Sequence, residues 1–262
     1  MSFDRPNVSL YKLSHRLPGD FLCSCNHLGS TILRAVTSTM SASQPVPETV
    51  PRRPLKTRQR AWAQGLARVL TRAGVAPNAI SIASLAFAIG AGICLSLAPG
   101  AAGIKRPALF LAAAACIQLR LLCNMLDGLV AIEGGRKTVY GEIFNDMPDR
   151  FADVVILVGA GYSIPHLGLG REFGWLAAVL AVITAYIRLL GGSLGVPQYF
   201  LGPMAKPHRM ALLTVACVLS SFERYFGLNG QIMWLALILM IAGMIVTCVR
   251  RTRRIALDLK KR

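Results

Sequence analysis

Carboxylates are scarce in this chain. Its 262 residues carry 12 Asp and Glu against 29 Lys and Arg, a formal charge of +17. Charge of either sign is thin as well: 16% of residues are charged, 54% are hydrophobic, and the mean hydropathy is +0.51, which excludes an ordinary soluble domain of this length. Residues 1–55 lack any sustained apolar segment, so the usual signal-peptide core of roughly 7 to 15 apolar residues is not supported. Their Ser, Pro and Arg content reads as a disordered basic segment. A second Met, Met40, followed by SASQPVPETVPRRP, suggests an over-extended start. The seven cysteines are odd in number and show no pairing pattern, which excludes a disulfide framework or a zinc spacing. The basic excess has no nucleic-acid recognition motif beside it. It lies instead outside the apolar runs, at Arg52 to Arg72 and Arg250 to Arg262, as positive-inside anchors do.

What is present is a series of apolar runs, several approaching the roughly 20 residues that cross about 30 Å of hydrocarbon. Their lengths predict an all-α, multi-pass membrane protein of six transmembrane helices at 79–97, 108–130, 142–164, 174–195, 208–226 and 231–249. Before them, Trp62, Leu66, Val69, Leu70 and Ala73 recur at helical spacing, with Arg60, Gln64, Arg68 and Arg72 on another face. Residues 56–73 are therefore expected to form an amphipathic interfacial helix, ended by Gly74 and Pro77. The organisation predicted is a 1–55 segment, a membrane domain at 56–250 and a basic tail at 251–262. An even number of spans puts both termini on the side of Arg136, Lys137, Lys206 and Arg209, facing Lys105, Arg106, Arg171 and Arg224 across the membrane. The positive-inside rule makes that side cytoplasmic, in a bacterial inner membrane.

Six of the scarce acids, Asp127, Glu133, Glu142, Asp146, Asp149 and Asp153, fall in the stretch Asn124 to Asp153. A charge at a bilayer centre costs roughly 2.5 to 3.5 kcal/mol on insertion scales, so such a cluster must bind something or lie at the interface. Residues three or four apart share a helix face. Asn124, Asp127 and Ala131 thus form one oxygen-bearing stripe, and Gly141, Asn145, Asp149 and Asp153 another, joined by a short loop with Gly134 and Gly135. Facing stripes of this kind suit a hard divalent cation, Mg²⁺ or Mn²⁺, with substrate phosphates completing the shell. Asp146 points away from the stripe. Pro148, one residue before Asp149, is expected to kink its helix and aim that carboxylate.

The spacing of Asp127, Gly128, Ala131, Gly141 and Asp149, together with the span number and PNAIS, resembles the CDP-alcohol phosphatidyltransferase family over roughly residues 57–250. The chain departs from that pattern at Asn124 and Asn145, where the family has Asp, and at Ile132, where it has Arg. The resemblance implies transfer of a phosphatidyl group from a CDP-alcohol, CDP-diacylglycerol in the first place, to a small alcohol acceptor with release of CMP. It further implies Asn124, Asp127, Asn145 and Asp149 as ligands of one or two metal ions, with Asp149 also the base. Asp127, Gly128, Ala131 and Gly141 would line the nucleotide pocket, and a homodimer among membrane lipids is implied. Arg188, Lys206 and Arg209 are candidates for substrate phosphate, while Arg120 and Arg150 read as structural ion-pair partners. The two Asn and Ile132 leave open a non-catalytic membrane scaffold or lipid-binding relative. A transporter using the carboxylates as an ion site is disfavoured by the lack of an internal repeat.

Overall fold

The computed structural model describes residues 61–133, 141–164, 167–199 and 201–261. The 1–55 segment, the start of the expected amphipathic helix and the Gly134, Gly135 loop lie outside the described residues. Those described are all-helical: α1 (Ala61–Arg72), α2 (Pro77–Leu97), α3 (Lys105–Glu133), α4 (Gly141–Tyr162), α5 (Gly170–Ser193), α6 (Lys206–Phe222) and α7 (Gln231–Leu259), with 3₁₀ turns at Ala98–Gly100 and Glu223–Phe226. Gly74, at φ 74°, ends α1 in a conformation that costs a residue without Cβ little, and Pro77 opens α2 where its missing N–H is not needed.

Packing joins α2 to α3 and α4, α4 to α5, α5 to α7, α7 to α6, and α6 back to α3. Six helices therefore close a ring. Four of them, α2, α3, α5 and α7, are long and apolar enough to cross a membrane. Their outward faces are apolar: Ile82, Ile89 and Ile93 on α2, Trp175 and Val179 on α5, Leu235 and Leu239 on α7 are all exposed. A soluble bundle of this size would not leave such a belt facing water.

The expected positions of the six long helices agree with these elements, with one extension. Residues 251–259, expected as a tail, continue α7 as helix. They stay ordered against the bundle because Arg251 is buried and donates to the carbonyls of Thr184 (2.6 Å) and Leu201 (2.8 Å), while Ile255 packs on Gly191.

Helix α4 approaches the backbones of both α2 and α5 closely. A Cβ on Gly159 would lie 2.8 Å from the Gly92 Cα of α2, and one on Gly161 would lie 2.7 Å from the Gly174 Cα of α5. Small residues at both crossings let the backbones approach, which is how helices associate where no hydrophobic effect drives them together. Helix α1 packs through Ala63 and Ala67 on Met125, Leu126, Leu129 and Val130 of α3, leaving Trp62 and Val69 exposed on its other side.

Candidate active site

The polar side chains inside the ring converge from all six long helices. On α3, Arg120, Asn124 and Asp127 follow one another at four- and three-residue steps and so share a face. On α4, Asp149 and Asp153 do the same. Asn124 Nδ2 donates a hydrogen bond to Asp149 Oδ1, which brings the two stripes together as the spacing predicted. Asp149 Oδ2 accepts from Lys206 Nζ at the start of α6, and Asp149 Oδ1 also lies 3.3 Å from Arg120 Nη2.

One turn deeper, Asp153 is 1% exposed and bridges two guanidinium groups: Arg120 Nη2 at 2.8 Å and Arg209 Nη2 at 2.6 Å. Arg209 also donates to Thr184 Oγ1 of α5 and to the Met204 carbonyl. A third cluster lies toward α5, where Asp146 Oδ1 accepts from Arg150 Nη2 (2.9 Å) and Arg188 Nη2 (3.0 Å). Asp146 thus turns from the stripe, as expected, and Arg120 and Arg150 do form ion pairs.

The apolar helix α2 supplies two residues that sequence reasoning passed over. Ser81 Oγ donates to Asp127 Oδ2 at 2.9 Å, and Ser84 Oγ donates to Asn124 Oδ1 at 2.8 Å. Their signal was present: two serines three residues apart in an otherwise apolar span mark a polar stripe. Thr184 and Arg251 gave no such periodic sign.

Of the residues expected at the site, Asn124, Asp127, Asp149 and Lys206 meet at one end of the ring, with Gly128 buried beside Asp127 on α3 and Ala131 one turn on. Arg188 stands apart, on Asp146. Arg209 is buried and engaged by Asp153. The side chain of Asn145 and the surroundings of Gly141 lie outside what is described.

Whether a hard cation fits can be judged at Asp127. This carboxylate is 4% exposed, and its Oδ1 is buried with no hydrogen-bond partner among the described residues. A buried charged oxygen left unpaired costs several kcal/mol, roughly, so it calls for a cation. With Asn124 and Asp149 nearby the donors are all oxygens or amides that can present one, the set that Mg²⁺ and Mn²⁺ prefer. The residues fit.

No protein-family model matches the chain. It is 25% identical over 178 residues to the inner membrane protein YnbA of Escherichia coli K12, an overlap of 66% of this chain and 83% of that protein. It is also 25% identical over 193 residues to the phosphatidylinositol phosphate synthase of Streptomyces avermitilis, 71% of this chain and 74% of that one. Two crystal structures of the Mycobacterium tuberculosis phosphatidylinositol phosphate synthase share the fold. The complex with manganese and citrate aligns with a TM-score of 0.62 at 21% identity, covering 74% of this chain and 88% of the other. The complex with CDP-DAG aligns at 0.61 and 21%, covering 74% and 92%.

Proposed function

We propose that this chain is a CDP-alcohol phosphatidyltransferase of the membrane, moving a phosphatidyl group from CDP-diacylglycerol to an alcohol and releasing CMP. The observation that carries this reading is the meeting of Asp127, Asn124 and Asp149 with Lys206 at one end of a membrane-type helix ring. One sequence relative and two fold neighbours described as phosphatidylinositol phosphate synthases, one of them with CDP-DAG bound, support it.

The chemistry follows from those residues. Asp149 accepts the proton of the acceptor hydroxyl as its oxygen attacks the phosphorus attached to diacylglycerol. A new P–O bond forms to the acceptor, the bond to the bridging oxygen of the diphosphate breaks, and CMP departs with the electron pair. A divalent cation, Mg²⁺ or Mn²⁺, would be held by Asp127, with Asn124, position 145 and Asp149 as the further candidate ligands; when bound it would screen the diphosphate charge. Lys206, held on Asp149, is the cation beside the substrate diphosphate, and Arg188 is the basic group for the phosphate of a charged acceptor. Gly128, Ala131 and Gly141 leave room for the cytidine beside Asp127. Arg209 serves this site by holding Asp153 rather than by reaching a phosphate.

All six ring helices are read as spans. Helix α4 packs between the spans α2 and α5, and the 17 residues of α6 reach about 26 Å, close to the hydrocarbon thickness. Helix α1, with its exposed Trp62 and Val69, lies in the interface. On the positive-inside rule we read the site and both termini as cytoplasmic, in an inner membrane, with the apolar belt available to a homodimer partner.

The test is release of CMP from labelled CDP-diacylglycerol by the purified protein in detergent with Mg²⁺ or Mn²⁺ and a panel of alcohols. Release that depends on metal and acceptor is the expected result. No release with any acceptor would return the chain to the scaffold reading.

A further inference from the structure

Three carboxylates and three cations meet around the candidate site. Asp127, Asp149 and Asp153 face Arg120, Lys206 and Arg209, three carboxylates against three cations. They do not share the cations evenly. Asp153 is held by both arginines, and Asp149 is held by Lys206 on one oxygen and approached by Arg120 on the other. Asp127 Oδ2 accepts from the Ser81 hydroxyl, and its Oδ1 is buried without a side-chain or main-chain hydrogen bond among the described residues. Positions 124 and 145, which flank these acids at helical spacing, carry amides. Among the described residues, no three His, Cys, Asp or Glu side chains come together as a metal cage.

Within the transferase reading given above, we propose that this site takes a single divalent cation, seated on Asp127, and that the Lys206 ammonium holds the place of a second one at Asp149. A second ion at Asp149 would have to displace Lys206 or share one carboxylate with it and with Arg120. Like charges a few ångströms apart repel strongly where water is largely excluded, and more so when one of them is divalent. Lys206 starts α6 behind the extended Ala205, so its ammonium is a fixed part of the protein, unlike an exchangeable ion.

Mn²⁺ titration of the full chain in detergent, with free Mn²⁺ followed by EPR, reads the number of ions without turnover. One Mn²⁺ per chain is expected. Asp127→Asn should weaken it at least about tenfold, Lys206→Met should create a second, weaker site, and Lys206→Arg should stay at one. Size-exclusion profiles check that each variant remains folded. Two ions of similar affinity in the unmodified chain, no bound ion, an Asp127→Asn protein that keeps its ion, or a Lys206→Met protein that stays at one would each overturn the proposal. CMP release is measured separately, so a chain that binds one Mn²⁺ and releases no CMP sinks the transferase reading and upholds this one.

Discussion

Asp153 Oδ2 lies 2.6 Å from Arg209 Nη2, and both residues are withdrawn from solvent, at 1% and 2% exposure. With Arg120 on the other oxygen, this pair ties α3, α4 and α6 together directly beneath Asp149. Removing one partner of a buried ion pair leaves the other uncompensated, typically at a cost of about 3 to 5 kcal/mol. Arg209→Met should therefore lower the thermal midpoint in detergent markedly. Arg209→Met with Asp153→Leu should recover much of the loss, because the orphaned carboxylate goes with its partner. Equal midpoints for Arg209→Met and the unmodified chain would mean that the pair does not hold the ring.

Asp149→Asn keeps the shape of the side chain and removes its ability to take a proton. A positioned general base typically contributes about 100- to 10,000-fold, so CMP release should fall by that much while the helix content is unchanged. Activity within tenfold of the original would move the base to another residue, and Asp127 would be the next to change.

Ser81 reaches Asp127 from α2 and fixes one of its oxygens. Groups that orient a metal ligand typically affect affinity by about 10- to 100-fold. Ser81→Ala should weaken Mn²⁺ binding within that range and leave the thermal midpoint nearly unchanged. Ser84→Ala, which frees the Asn124 amide oxygen from its donor, should have a smaller effect of the same kind.

Much of this site was legible because helical spacing is a geometric rule. Asn124 and Asp127 on one helix, and Asp149 and Asp153 on the next, face one another where the three- and four-residue steps put them. The helix positions were legible for the same reason, since length and apolarity are local properties. What periodicity could not supply is the partner of each cation. Lys206 and Arg209 are three residues apart on α6, yet one binds Asp149 and the other Asp153, because ring closure sets α6 against α3 at a particular height. Arg251 was hidden differently: it follows the last apolar run, where a basic residue ordinarily anchors to headgroups, and its role needs the Thr184 and Leu201 carbonyls in place.

Gly159 tests whether the height of α4 matters to the chemistry. The Cβ of Gly159→Ala would sit 2.8 Å from both the Cα and the carbonyl oxygen of Gly92, and backbone atoms at a helix crossing cannot turn aside as a side chain can. Overpacking of this kind typically costs about 1 to 3 kcal/mol. The thermal midpoint should fall, and CMP release should fall further than the midpoint alone accounts for, because α4 carries Asp149 away from Asn124.

Arg188 lies on Asp146 at 3.0 Å, on the α5 side of the site. If it receives the phosphate of a charged acceptor, Arg188→Ala removes a charged hydrogen bond worth about 1.5 to 3 kcal/mol. At 1.4 kcal/mol per factor of ten, the KM for that acceptor should rise by roughly 10- to 150-fold. The kcat should change little, since no reacting atom is touched, and the KM for CDP-diacylglycerol should hold. Uncharged alcohols provide the internal control, because they have no phosphate for Arg188 to meet. If Arg188→Ala raised KM equally for charged and uncharged acceptors, its role would be to orient Asp146 and α4, and the acceptor phosphate would have to be sought elsewhere on the ring.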